Sequence, residues 1–432
     1  MTAPSRNAEK DESFLQRLRA YLDGTMLAEI VERGGRRPEP WGFVAVTVLA
    51  TLVMIFTTEA RPQALDYFSR LADAFLHGRI WLDEAPSWLN ELIPAGPGQW
   101  YVTYPPMPAV LAMPFVAVFG REFPAQVYSS IYGGLDAGLV FLLLGRLNMG
   151  LRSRDRLGLT VVFTFGTVFW FVALGGSAWY FAHVAAVLFT LAALIVALDH
   201  RPAWIAGLLI GCAALSRLPA GLAALFVLAA LLDFPTSLRR LDLRRAARIA
   251  VVFGIGLAVP AALYVLYNEV RWGTITDQGY VLIPGVLQDP VYEKHGILSI
   301  WYIPRNLFAI LFRSWNYVDD APFLQPSWWG LGIFLTTPLY LWLAKARLRD
   351  PKVAWALLAT LLVSIPILTH GNVGFTQFGY RFSLDFQVLL FVVLASAIGA
   401  HGWSKRSVFA GAASIAFCAY AIWAIGIKFV AF

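Results

Sequence analysis

Residues 41–58 read WGFVAVTVLATLVMIFTT, a run without a single charge that follows a polar stretch carrying Arg33, Arg36 and Arg37. A helix needs about 20 apolar residues to cross the hydrocarbon core of a bilayer, and arginines just outside such a run orient it. The same pattern recurs down the chain, so this stretch decides the class of fold. Of 432 residues, 58% are hydrophobic and 14% charged, a balance expected where lipid is the solvent.

Counted by span length, about eleven segments qualify: Trp41 to Thr58, Pro124 to Leu144, Leu157 to Leu174, His183 to Leu198, Ala203 to Leu215, Leu218 to Leu232, Ile249 to Tyr267, Trp328 to Ala344, Val353 to Thr369, Ser383 to Ala400 and Val408 to Ile427. The fifth and sixth are short. The expected architecture is an all-α polytopic membrane protein, with residues 1–40 as a cytoplasmic tail and residues 41–432 as one transmembrane domain. The tail contains a short amphipathic stretch around Phe14 to Ile30 and is too polar to be a cleavable signal.

Met107 to Phe119, MPAVLAMPFVAVF, is short and contains Pro108 and Pro114. If it does not cross, Arg146, Arg152, Arg154, Arg156, Arg201, the run Arg239 to Arg248, Lys345 to Lys352, Lys405 and Arg406 all fall on the cytoplasmic side. If it crosses, most of them fall outside. It therefore reads as a re-entrant or interfacial helix, with the N-terminus in and the C-terminus out.

This topology leaves two long loops outside, residues 59–123 and 268–327, both rich in Trp, Tyr, Pro and acidic residues. Loops of that length are usually functional. In the first, Leu65, Phe68, Ala72, Phe75 and Leu76 fall on one helical face, with Asp66, Arg70, Asp73 and His77 on the other. The pattern predicts an amphipathic helix lying on the bilayer surface. The net charge of +7 resides in short arginine segments between apolar runs, which is membrane orientation rather than a nucleic-acid surface. Cys212 and Cys418 lie inside apolar segments and offer neither a disulfide framework nor a metal spacing. There is no Walker A loop, HExxH or dinucleotide fingerprint.

Several motifs in order resemble GT-C glycosyltransferases of the protein O-mannosyltransferase and aminoarabinose-transferase branch. They are Asp66-Tyr67, Leu71-Ala72, Gly78 and Tyr104-Pro105-Pro106 in the first loop; Trp179-Tyr180-Phe181-Ala182-His183 before a span; Gly207 to Gly211 followed by Ser216-Arg217; and Phe378-Gly379-Tyr380-Arg381. The resemblance implies a GT-C-like bundle that moves a hexosyl or pentosyl group, with inversion, from a polyprenyl-phosphate donor at the outer face of the plasma membrane. Such transfer needs a base for the acceptor hydroxyl and cationic groups for the departing phosphate.

By the family pattern Asp66 is the base and Glu59, at the end of the first span, the alternative. A plain i,i+4 ion pair of Asp66 with Arg70 is the competing reading, worth about 0.3–0.5 kcal/mol when exposed. Arg217 and Arg381 are the candidates for the donor phosphate, against snorkelling and interfacial anchoring. Tyr67, His183, Gln377 and Tyr380 are further substrate-binding candidates. Asp73, Asp83, Glu84, Asp319 and Asp320 can bind a divalent metal as carboxylates, with no specific spacing, so no metal ligand is assigned. Trp301, Tyr302, Trp315 and Tyr317 can stack on a sugar, although interfacial belt residues have the same composition.

The chain is compact beside these relatives and shows no soluble C-terminal domain, which favours a lipid or glycan acceptor over a protein. Membrane lipids are its other expected partners. A flippase or transporter of a lipid-linked substrate, or a non-catalytic subunit of an envelope assembly, would have the same helical pattern. Asp136, an acid well inside a span, is the feature a transporter would use.

Overall fold

The structure is a computed structural model describing residues 40–58, 65–237, 241–320, 323–325 and 327–429; Glu59 and the Phe14 to Ile30 stretch lie outside these. Among the described residues, seven helices are long and apolar enough to cross a membrane. They are α1 (Pro40–Thr57), α4 (Ala125–Arg146), α7 (Ala178–Leu198), α10 (Leu243–Trp272), α11 (Pro351–Thr369), α12 (Leu384–His401) and α13 (Lys405–Phe429). The protein is a multi-pass membrane protein of all-α class, with the remaining helices shorter or broken.

Four expected spans are built differently. Leu157 to Leu174 is a pair, α5 (Ser153–Phe165) and α6 (Val168–Gly175), bent by 54°. Thr167 causes the break: its hydroxyl caps α6 by accepting from the Phe169 amide at 3.1 Å. The two short segments are α8 (Ala203–Ala214), followed by a 3₁₀ turn Leu218–Ala223 leading into α9 (Ala224–Leu231). At about 1.5 Å per residue α8 reaches about 18 Å, well below a hydrocarbon core of about 30 Å.

Trp328 to Ala344 is not a continuous span. It forms a strand at Trp329–Leu331, a single helical turn at Ile333–Thr336 and a 3₁₀ helix at Pro338–Lys345. The apolar composition concealed three breakers. Gly330 sits at φ +83° and pairs its strand in parallel with Gln377–Gly379, Gly332 approaches the Leu311 carbonyl, and Pro338 resets the chain. Met107–Phe119 (α3) is a 13-residue helix, about 20 Å long on the same arithmetic.

Close packing depends on small residues where backbones meet. A Cβ on Gly134 or Gly138 of α4 would collide with Thr51 and Thr47 of α1, and one on Gly207 or Gly211 of α8 with Phe253 and Pro260 of α10. The Gly207 to Gly211 motif is thus a helix contact. Every residue of α12 from Leu384 to Ile398 is buried, which makes that helix the centre of the bundle.

The helices give the bundle two unlike ends. Arg146 closes α4, Arg201 follows α7, Arg244, Arg245 and Arg248 open α10, Lys345 to Lys352 precede α11, and Lys405 and Arg406 follow α12. At the other end lie the start of α7 with His183, the loop after α8 with Arg217, His370 after α11, and Arg381 and Asp385 at the start of α12.

The helix α2 (Tyr67–Leu76) departs from expectation. Its polar side is not left open on a surface: Ser69 and Arg70 are buried along with Tyr67, Phe68, Leu71 and Ala72. Burial of Arg70 is tolerated because carboxylates surround it. Asp66 accepts from its Nε at 3.0 Å, Glu84 pairs closely with Nη1, and Glu122 lies 3.7 Å from Nη2. After α2 a hairpin pairs β1 (Leu92–Gly96) with β2 (Gln99–Val102), Leu92 opposite Val102.

Candidate active site

A cavity of about 530 Å³ opens at the end of the bundle opposite the basic clusters. Its polar wall includes Tyr104, Trp179, Arg217, Asp277, Tyr280, His370 and Arg381. Leu218, Leu222, Val281, Leu298, Pro366 and Ile367 make the rest apolar. Of the candidate base, phosphate-binding and substrate-binding residues, Arg217 and Arg381 line it, together with Tyr104, Pro105, Trp179, Ala182 and Ser216 of the quoted motifs.

Arg217 ends the turn after α8, and its guanidinium lies over the Phe382 ring at 5.1 Å. Its Nε donates to Asp385 Oδ1 at 2.7 Å. Arg381 also lies near that residue, 5.2 Å from the Phe382 ring centroid, and faces Tyr180 and Trp179 at 5.6 and 5.9 Å. Its Nη1 donates to the Phe375 carbonyl at 2.7 Å and to Gln377 Oε1 at 3.2 Å. Two cations thus share one aromatic ring at the head of the buried helix, where like charges cost free energy unless an anion joins them.

The other candidates surround that pair at one remove. Gln377 is buried and anchored through Nε2 donation to the Trp329 and Val373 carbonyls, both at 2.8 Å, so it fixes Arg381. Tyr380 is buried against Phe382, with ring centroids 5.9 Å apart. His183 is completely buried below Arg217, its Nδ1 3.1 Å from Asp385 Oδ1. Tyr67 donates to Asn90 Oδ1 at 3.3 Å and accepts from the Glu91 amide at 2.9 Å, with its ring edge-on to Tyr104 at 5.4 Å.

Asp66 does not line the cavity. It is 8% exposed, and burial raises its carboxyl above the usual aspartate range, outweighing the hydrogen bond and charge of Arg70. Asp83 and Glu84 pair with Arg79, Arg70 and Arg121, and among the described residues no three metal-ligating side chains cluster. Trp301 and Tyr317 are exposed, Tyr302 donates to the Val291 and Gly296 carbonyls, and Trp315 packs on Phe378; none of the four lines the cavity.

Four neighbours of the arginine pair escaped the sequence reading. Asp385 lies inside an expected span, four residues after Arg381, and that spacing is the signal that could have found it. Glu91 accepts from Trp179 Nε1 at 3.0 Å, the same N–H that reaches Tyr104 Oη at 2.6 Å; burial raises this carboxyl, against the Trp179 bond and the charge of Arg381. Burial, with the charges of Arg217 and Arg305, pushes the His370 imidazole down to about 4, so it is neutral at pH 7. Tyr280, edge-on to His370 at 5.5 Å, completes that wall and had no motif to mark it.

Fold and site together define a polytopic helical membrane protein with a paired-arginine cavity at one end. No family model and no curated protein matches the chain. Among solved structures it is similar to ArnT from Cupriavidus metallidurans in the apo state, at 16% identity and a TM-score of 0.49, covering 85% of this chain and 60% of that one. It is also similar to the Archaeoglobus fulgidus oligosaccharyltransferase tethered with an acceptor peptide, at 14% identity and a TM-score of 0.46, covering 90% of this chain and 55% of that one. The chain therefore spans less than two thirds of the length of either structure.

Proposed function

We propose that this protein is a GT-C-type membrane glycosyltransferase that moves a hexosyl or pentosyl group from a polyprenyl-phosphate donor to a lipid or glycan acceptor, with inversion. The observation that carries the reading is the placement of Arg217 and Arg381 on one cavity that also has an apolar wall of Leu218, Leu222, Val281, Leu298, Pro366 and Ile367. A phosphate joined to an isoprenoid tail needs both: guanidinium groups for the anion and apolar surface for the chain. The ordered motifs of the first loop and of the segments before α7 and α12 support the same reading.

In this mechanism the donor phosphate lies between the two arginines. The acceptor oxygen attacks the anomeric carbon, the carbon–oxygen bond to phosphate breaks, and the phosphate leaves with the electron pair, its added charge held by Arg217 and Arg381. Asp66 takes the acceptor proton. Because Asp66 stands beside Tyr67 rather than on the cavity, this role requires the acceptor to approach past the Tyr67–Tyr104 pair. Its union with Arg70 is the competing account. The concentration of basic residues at the opposite end supports an extracytoplasmic site, a cytoplasmic N-terminal tail and a position in the plasma membrane, with the 59–123 and 268–327 loops outside.

The test is sugar transfer in proteoliposomes from a synthetic polyprenyl-phosphate sugar, followed as release of polyprenyl phosphate. Release by the wild type and its loss in Arg217→Gln and Arg381→Gln are expected. Wild-type turnover in both variants would overturn the reading. Movement of the donor across the bilayer without any transfer would select the flippase alternative.

A further inference from the structure

We propose that Asp385 is a positioning residue that aims the Arg217 guanidinium at an anion in the cavity; the inference rests on the anionic-donor reading of that site.

The carboxylate is in the first turn of α12, and its side chain is fully out of solvent. One oxygen, Oδ1, receives both Arg217 Nε at 2.7 Å and His183 Nδ1 at 3.1 Å. These partners are 168 and 202 residues distant in sequence and come from the α8 turn and from α7, so no local preference brings them together.

Guanidinium offers five N–H donors in a rigid planar fork. Arg217 uses the Nε edge on Asp385, and neither Nη makes a hydrogen bond to a described residue. Its side chain is 19% exposed and lines the cavity. With Nε held on Asp385 and the guanidinium carbon 5.1 Å from the Phe382 ring centroid, the group is restrained at two points where it lines the cavity. Arg381 is held differently, with Nη1 committed to Phe375 and Gln377. Asp385 is the one carboxylate hydrogen-bonded to either arginine among the described residues, while Asp277, which also lines the cavity, accepts from Tyr264 Oη and the Gly279 amide; the Arg217 Nη donors are thereby left to an anion.

Asp385→Asn separates the two roles. Oδ2 has no partner among the described residues, so the amide occupies a position without a competing donor while the oxygen beneath Arg217 stays. The variant loses the charge and keeps the shape. The measurement is binding of farnesyl phosphate to detergent-purified full-length protein, together with donor KM and kcat, in wild type, Asp385→Asn, Arg217→Gln and the double variant. Expected are a roughly tenfold weaker binding and higher KM in Asp385→Asn with a thermal midpoint close to wild type, and no further loss when the change is added to Arg217→Gln. Unchanged binding in Asp385→Asn, or losses that add in the double variant, would overturn the proposal. A fall in thermal midpoint with binding per folded molecule intact would also overturn it, by assigning Asp385 to structure alone. Binding without transfer in the wild type removes the glycosyltransferase reading and leaves the Asp385 proposal standing; absence of binding in the wild type removes both.

Discussion

Asp66 and Asp385 make a natural comparison. Each begins a helix, each is buried, and each accepts a hydrogen bond from an arginine Nε, at 3.0 and 2.7 Å. They differ in what surrounds the arginine. Arg70 meets Asp66, Glu84 and Glu122, so its donors are consumed by protein carboxylates. Arg217 meets one carboxylate and turns its remaining donors to a cavity it shares with Arg381. In the first cluster the arginine is engaged by protein carboxylates alone; in the second, Arg217 keeps its Nη donors for the anion that the proposed function places between it and Arg381.

The strongest way to break the comparison is to remove the cavity cations. Arg217→Gln and Arg381→Gln are each expected to lower transfer by about 10²–10³-fold, the cost typical of losing one preorganised donor to a developing charge. The same assay on Arg70→Gln should show far less, and an equal loss there would erase the distinction between the two clusters.

Asp66→Asn tests the other cluster with an effect of similar size. As a general base it should cost about 10²–10⁴-fold in transfer, while Arg70→Gln keeps most activity. The pH profile sharpens the point. Burial raises the Asp66 carboxyl, so the ionised base is lost as pH falls, through a midpoint above the usual aspartate range. Wild-type transfer should decline on acidification through that midpoint, and the Asn variant should lack the step; a step that persists in Asp66→Asn shifts the role to Glu59 or Glu91.

Gln377→Ala comes third. It frees the Arg381 Nη1 from one of its two acceptors, so donor KM should rise several-fold with kcat nearly unchanged. A loss confined to kcat would show that Gln377 acts on the reaction rather than on binding. The smallest effect is expected at the rim of the Arg70 cluster. Glu122→Gln, with its side chain 61% exposed, should change thermal stability by no more than about 1 kcal/mol and leave turnover intact.

Much of the bundle was legible because the bilayer imposes one simple demand, a long apolar helix, and seven helices of the structure meet it. Trp328 to Ala344 met the compositional demand and failed the backbone one, since Gly330, Gly332 and Pro338 break a helix that apolarity alone suggests. The motif residues Arg217 and Arg381 were found in sequence and come together in space. Asp385 was hidden within an apparent span, because its importance depends on Arg217 and His183, which only the folded bundle brings to it. The amphipathic spacing of Leu65 to Leu76 identified a helix expected on the bilayer surface; of its polar face Asp66 and Arg70 are buried in an ion-pair cluster, whereas Asp73 and His77 stay at least partly exposed.

The wholly buried central helix also sets an order of biogenesis. Arg217 is threaded into the membrane with the first half of the chain, whereas its counter-charge arrives 168 residues later. Until α12 inserts, the nascent protein holds an arginine at the end of a short helix without its carboxylate, a state that lipid head groups or an insertion chaperone must shelter. Entry of α12 then brings Asp385 to Arg217 and delivers Arg381 at the head of the same helix in a single event, so that the site matures only when the penultimate spanning helix is in place.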